Sequence, residues 1–406
     1  MDGTASQSQQ ACFRLAAACC RYPAAARDDA VIALTRDIND WPLFLCMLRR
    51  HRIEALAQTA LTAAQVSLPD DIAAILRQRA QTIAQRNLLM AAETARLQGL
   101  LDTAGIASLV LKGAPLAQVA YGSIAFKFSQ DIDLLIAPES RDAAIGCLES
   151  DGYRLVRPAP GLDKRQRVLV ALYGREVALR HPDRPALVKL RWQAVNSPSL
   201  IAGVNASSPH QIVALGGALT VRTLRDDDLF AYLCVHGAGH GWSRLQWLAD
   251  FNAFIAMRDE ATLLRLYRYA EAIGAGPCAM TALALCRSLL GCAVPADVVR
   301  DIDGRMRTRL AVRMALDLMK GPGVSGEAGG RRFDTARVAL MQMLFGSSPM
   351  HYASMLRDLC FRLDDMLAWP LPRALHFIYP LLRIPLWLWR KFAAPPSRPR
   401  RETGSA

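Results

Sequence analysis

The sequence predicts an α+β fold, a small mixed β-sheet flanked by N- and C-terminal helical regions. Three observations carry that expectation. Apolar residues recur at helical spacing from Ala11 to about Thr103. Short branched apolar runs, punctuated by glycine and proline, fill residues 105–195. Helical texture returns from about Arg222 onward. The 406 residues are 52% hydrophobic and 21% charged, enough for the cores of two to three domains and too apolar for a disordered chain. No short repeat and no run of 18 uncharged apolar residues occurs, so solenoids, long coiled coils and ordinary membrane-spanning helices are not expected.

The elements follow in order. Residues 1–10 are polar and read as a disordered start; they lack a basic segment followed by an apolar one, so no secretory signal is expected. Pro69 and Asp70 open a long helix in which Ile72, Ile75, Leu76, Ile83, Leu88 and Leu97 form the apolar stripe. Ile106–Leu111 reads as a buried strand ended by Lys112 and Gly113, and Ala114–Ala120 as a short helix. Asp131–Ile136 is a second strand stopped before Pro138. Ser140–Ser150 is helical, and Gly152 turns the chain into an extended YRLV. Tyr173–Arg180 and Leu187–Gln193 form a hairpin around HPDRP. Asp226–Asp228 cap a helix beginning near Leu229, and another runs through Trp242–Met257. The expected organisation is a helical region at 1–104, the α/β core at 105–200, a helical domain at 201–320, a flexible linker at 321–332 and a helical region with a basic tail at 333–406.

The net charge is +13, and 43 of the 49 basic residues are arginine. An arginine habit spread through an alanine-rich chain reads as background composition, and nucleic acid is not indicated as a partner. The ten cysteines contain no C-x-x-C pair, as expected of reduced thiols in a cytoplasmic protein.

The chemical signal is FSQDIDLLI. Asp131 and Asp133 are two apart on a strand, so both carboxylates share one face while Ile132 and Leu134 point into a core. Neighbouring carboxylates invite a cation, and oxygen ligands suit Mg²⁺ or Mn²⁺, which also binds substrate phosphates. Ahead of the pair, Gly113 follows a strand and opens a helix, a geometry that lets backbone approach phosphate, with Lys112 adding a charge.

The stretch resembles the uncharacterised bacterial nucleotidyltransferase family of the polymerase-β-type nucleotidyltransferase superfamily. The shared elements are LKGAPLAQVAYG, DIDLLI, DGYRL and HGAGHGWSRLQWLAD, with RRHRIEALAQTAL and RNLLMAAETARLQGLLDTAGI upstream, together spanning roughly Trp41 to Ile255. The resemblance implies a nucleotidyltransferase core that transfers an NMP from an NTP to an acceptor, which is a small molecule, sugar, peptide or protein. It places Asp131 and Asp133 as catalytic metal ligands, and Lys112, Gly113, Lys127, Ser129 and Lys189 around the nucleotide. The superfamily's third carboxylate is missing from its expected place, because the later strand reads Val188-Lys189-Leu190-Arg191-Trp192. Two explanations stand side by side. Either Lys189 substitutes for a metal and leaves a nucleotide- or partner-binding module, or Glu176 on the neighbouring strand supplies the oxygen.

Other motifs carry less. His236 and His240 share a helix face, but the position between them that a zinc protease gives to glutamate is Gly237, so the HGAGH helix reads as packing rather than a metal site, as do Trp242 and Trp247. The C-terminal HFIYPLLRIPLWLWRKF is apolar, aromatic and basic; it could lie against an anionic membrane surface, with a packed helix as the plainer expectation.

Overall fold

The computed structural model describes residues 2–24, 27–184, 186–321, 334–346, 348–383 and 385. Its centre is one seven-stranded sheet: β1 (Ser108–Val110), β2 (Asp131–Ile136), β3 (Arg154–Arg157), β4 (Glu176–Arg180), β5 (Leu187–Arg191), β6 (His210–Gly216) and β7 (Leu219–Leu224), in the spatial order β3-β4-β5-β2-β1-β7-β6. β2 runs parallel to β5 and antiparallel to β1, and β1 runs parallel to β7. The expected β4–β5 hairpin is present, with Glu176 opposite Arg191. The sheet also continues past residue 200. The β6–β7 hairpin, for which no strand expectation stood, forms one edge of it.

Alternation along β2 and β5 divides the sheet between two cores. Ile132, Leu134, Val188 and Leu190 enter one, with Val177 and Leu179 of β4 beside them. On the opposite face β2 presents Asp131, Asp133 and then Leu135. Leu135 joins Leu109 and Leu111 in a larger helical core, so this face passes from buried to polar along one strand.

The helix Asp70–Thr103 crosses behind the sheet. Ile72, Leu76, Ile83 and Leu97 are buried as the stripe predicts, but Leu88 is 60% exposed. The inward position is Asn87, whose amide donates to the carbonyls of Ile124 and Lys127 at 2.8 and 2.7 Å. This pins the loop that leads into β2. The chain's start is a second correction: Asp2–Ala18 is one helix, not a disordered segment, anchored by buried Cys12, Phe13, Leu15 and Ala16. The helices Asp226–Gly239 and Leu245–Ala256 supply much of the large core. The linker expected at 321–332 lies outside the described residues apart from Gly321, as do the later part of the basic aromatic segment and the tail. Among the described residues no helix is long and apolar enough to cross a membrane.

Candidate active-site cleft

Three local features build the site. The backbone amide of Leu111, just past β1, still donates to the Asp133 carbonyl at 3.1 Å, which carries Lys112 alongside β2. The chain then bends at Gly113, where φ is +84° and a side chain would be strained, and enters the helix Ala114–Tyr121. Asp131 and Asp133 do share a face: one ammonium, that of Lys112, lies 3.0 Å from Asp131 Oδ1 and 2.9 Å from Asp133 Oδ2. The β2–β5 register puts Lys189 beside Asp133, and Lys189 Nζ closes on the other oxygen of Asp131. Arg191 reaches Asp133 Oδ1 at 3.4 Å and Glu176 Oε2 at 3.2 Å. The sequence expectation that a cation faces the acid pair therefore holds, and there are three such cations.

The electrostatics follow from burial and pairing. Asp133 is wholly buried. Burial works against the charge on Asp131, but Lys112 and Lys189 outweigh it and hold its carboxyl well below the usual carboxylate range. Burial likewise works against the Lys112 ammonium, and Asp133 and Asp131 outweigh that, raising its pKa. Asp131 is thus ionised, and the chain's own cations already stand on both acids.

The remaining expected residues sort differently. Glu176 stands at the start of β4, turned toward Arg191 rather than joining the acid pair around one centre. Lys127 is buried, and its charge goes to Asp250 at 2.5 Å; Tyr121 donates to the other Asp250 oxygen at 3.0 Å. Ser129 is buried, and its hydroxyl faces the Gly113 bend. Gly113, Ser129, Lys112 and Lys127 line a recess of about 40 Å³ beneath the cleft.

The cleft itself measures about 730 Å³, and six cations line it, Arg52, Lys112, Arg157, Lys189, Arg191 and Arg244, against the carboxylates Asp131, Asp133 and Glu176. Its far wall is the HGAGH helix. His236 and His240 face the cleft, their rings 4.8 Å apart, and His240 stacks on Trp247 at 4.7 Å. Desolvation among the cleft walls, together with Lys112, Lys189, Arg244 and Arg191, pushes His240 down to about 4. Desolvation, His240 and the nearby cations push His236 lower than its ordinary value as well. Both are neutral imidazoles near pH 7. Trp242 is buried, as expected of packing, and Gly237 is required beside it, since a Cβ there would meet the Trp242 ring at 2.4–2.5 Å. Trp247 is half-buried: it packs against the large core and also lines the cleft. Sequence reasoning gave no site role to Tyr232, whose buried hydroxyl has no hydrogen-bond partner among the described residues and whose pKa is raised by burial and by nearby Asp133. The signal was present: Tyr232, His236 and His240 recur every four residues on one helix face.

A divalent cation shared by Asp131 and Asp133 needs the oxygen faces that the Lys112 and Lys189 ammonium groups cover. The residues as arranged do not fit one. Among the described residues, no three His, Cys, Asp or Glu side chains converge on a metal-sized site.

A mixed sheet that sets two same-face acids beside a glycine bend and a helix start defines a nucleotidyltransferase-type core. Residues 37–291, more than half the chain, match the family described as uncharacterised nucleotidyltransferase, and the chain belongs to that family. A comparison with curated proteins found no match.

Proposed function

We propose that the cleft binds the polyphosphate of a nucleoside triphosphate on the chain's own cations, without a divalent metal held by Asp131 and Asp133. One observation carries this reading: Lys112 and Lys189 stand on the two acids where a metal would otherwise be needed. Each ammonium keeps further N–H donors for phosphate oxygens, and Arg157 extends the positive wall. Cations in excess of carboxylates favour an anion, and charge-assisted contacts to phosphate are the strong kind. All ten cysteines are unpaired, which supports a reducing, cytoplasmic setting.

The test is calorimetry of the full chain with ATP, GTP, CTP and UTP, in EDTA and again in Mg²⁺. The expected result is binding in EDTA that Mg²⁺ changes by less than about threefold. Binding that appears only with Mg²⁺ overturns the reading.

The second reading is the family's implied chemistry, NMP transfer to an acceptor with Mg²⁺ or Mn²⁺. It is favoured by the retention of two acids on one face beside Gly113. It requires both lysines to leave the acids. An α-labelled NTP panel with cell extract separates the two: label moving to an acceptor in a metal-dependent way supports transfer, and its absence supports the binding module.

A further inference from the structure

A second cavity opens off the cleft, away from the acid pair. It encloses about 130 Å³ and shares Arg191, Asn196, His236, His240 and Gln342 with the cleft wall. Its lining is mixed, with Ser197, His351, Ser354 and Asp358 among the polar residues and a larger apolar share. Val195, Leu200 and Val235 come from the core, and Phe345 and Met355 from the two C-terminal helices and the turn between them. Those helices, Asp334–Leu344 and Pro349–Cys360, follow the residues that match the family.

The cavity has a built rim. His351 Nε2 lies 3.1 Å from the Gln342 carbonyl and must donate to it, so Nδ1 accepts from the Ser197 hydroxyl at 3.0 Å. The Gln342 side-chain amide donates to the Gly239 carbonyl at 3.0 Å. These bonds fasten the C-terminal helices to the core around the edge and leave the centre unfilled. A well-packed interior does not leave such a space without a reason, and an apolar cavity of roughly 150 Å³ suffices for a benzene-sized guest.

We propose that this cavity binds a small, largely apolar alcohol, ring-sized or branched, with its hydroxyl turned to the cleft. The apolar wall selects the body. The mouth selects the polar end, because Arg191 is already matched by Asp133 and Glu176 and offers no unspent charge for an anion. The neutral imidazoles of His236 and His240 instead supply one donor and one acceptor each, which suits a hydroxyl. The site does not depend on the nucleotide reading, and it is tested without nucleotide.

The probe is benzyl alcohol, titrated into the full chain and followed by ligand-observed NMR, with toluene as the comparison. Binding with a Kd on the order of 0.1–1 mM is expected, with toluene at least about fivefold weaker. Ser354→Trp, which fills the cavity from a half-buried helix position, lowers affinity by about tenfold or more. Intermolecular NOEs from the probe ring to labelled methyls of Val195 and Met355 locate it independently of any variant. No binding, or NOEs to other methyls, overturns the site. Equal affinity for toluene overturns the hydroxyl preference.

Discussion

Replacing Lys189 by glutamate tests the central claim most directly. Lys189 sits beside Asp133 in the β2–β5 register and closes on Asp131. Lys189→Glu removes one of six cleft cations and raises the carboxylates from three to four. Loss of one charge-assisted phosphate contact costs about 1.5–3 kcal/mol. The new carboxylate also repels a phosphate some ~5 Å away by about 3 kcal/mol at an effective dielectric constant of ~20, before salt screening. Together these reduce NTP affinity in EDTA by roughly 100-fold or more. The same change puts a third oxygen ligand on the face of Asp131 and Asp133, a set that suits Mg²⁺. The variant's affinity therefore recovers on adding Mg²⁺, whereas the parent's does not. Lys189→Met is the control; it loses about tenfold in EDTA and gains nothing from metal. Calorimetry in both buffers reads all three proteins. Affinity of Lys189→Glu in EDTA within about threefold of the parent refutes the reasoning, and so does a parent that responds to Mg²⁺ as the variant does.

Three further outcomes follow from buried groups. Asp250→Asn leaves Lys127 buried without its carboxylate, 2.5 Å away in the parent, and lowers stability by about 3–5 kcal/mol in urea titrations. Gly237→Ala drives a methyl into the Trp242 ring, costs about 1–3 kcal/mol and alters tryptophan fluorescence; an unchanged melt and spectrum contradict the close approach. Burial, with Arg50 and Arg244, pushes His51 down to about 3, while its Nδ1 accepts from the Leu245 amide at 3.0 Å. The unfolded chain takes up that proton first, near ~6.5, so this stability is complete above that pH and drains away as pH falls toward 3. The difference in stability between the parent and His51→Asn therefore shrinks across that window, and a constant difference denies the linkage.

The acid pair and its opposing cations were legible because both rest on strand alternation, which is local. Asp131 and Asp133, or Lys189 and Arg191, need only a period of two to share a face. What was not legible depends on long-range placement. Lys127 looks like a phosphate ligand by its position near DIDLLI, but its partner Asp250 lies 123 residues onward and takes its charge. The β6–β7 hairpin hides because it is an edge. Ile212 is 71% exposed while Val213 and Leu215 are buried, so apolar residues fall on both faces and the alternation blurs. In the long helix, Leu88 fits the apolar stripe by spacing, yet Asn87 turns inward because three loop carbonyls need its amide. The opening segment was misread for a simpler reason, since its polar composition says little about a helix anchored by the residues that follow it.

The buried acid also dictates what happens in the absence of any ligand. Asp133 is wholly buried on the strand and paired with Lys112 and Arg191, and a buried carboxylate left uncompensated costs several kcal/mol. A site that relied on a divalent ion for that compensation would be stabilised whenever the ion bound, by about 2.7 kcal/mol at a hundredfold excess over its Kd. Here the compensation is covalently part of the chain and present at all times. Thermal unfolding of the nucleotide-free protein in EDTA and in 10 mM Mg²⁺ should therefore give midpoints within about 1 °C of each other. A rise of several degrees with Mg²⁺, lost on Asp131→Asn, means that the ion displaces the lysines from the acids, and the metal-free reading of the cleft then fails at its first step.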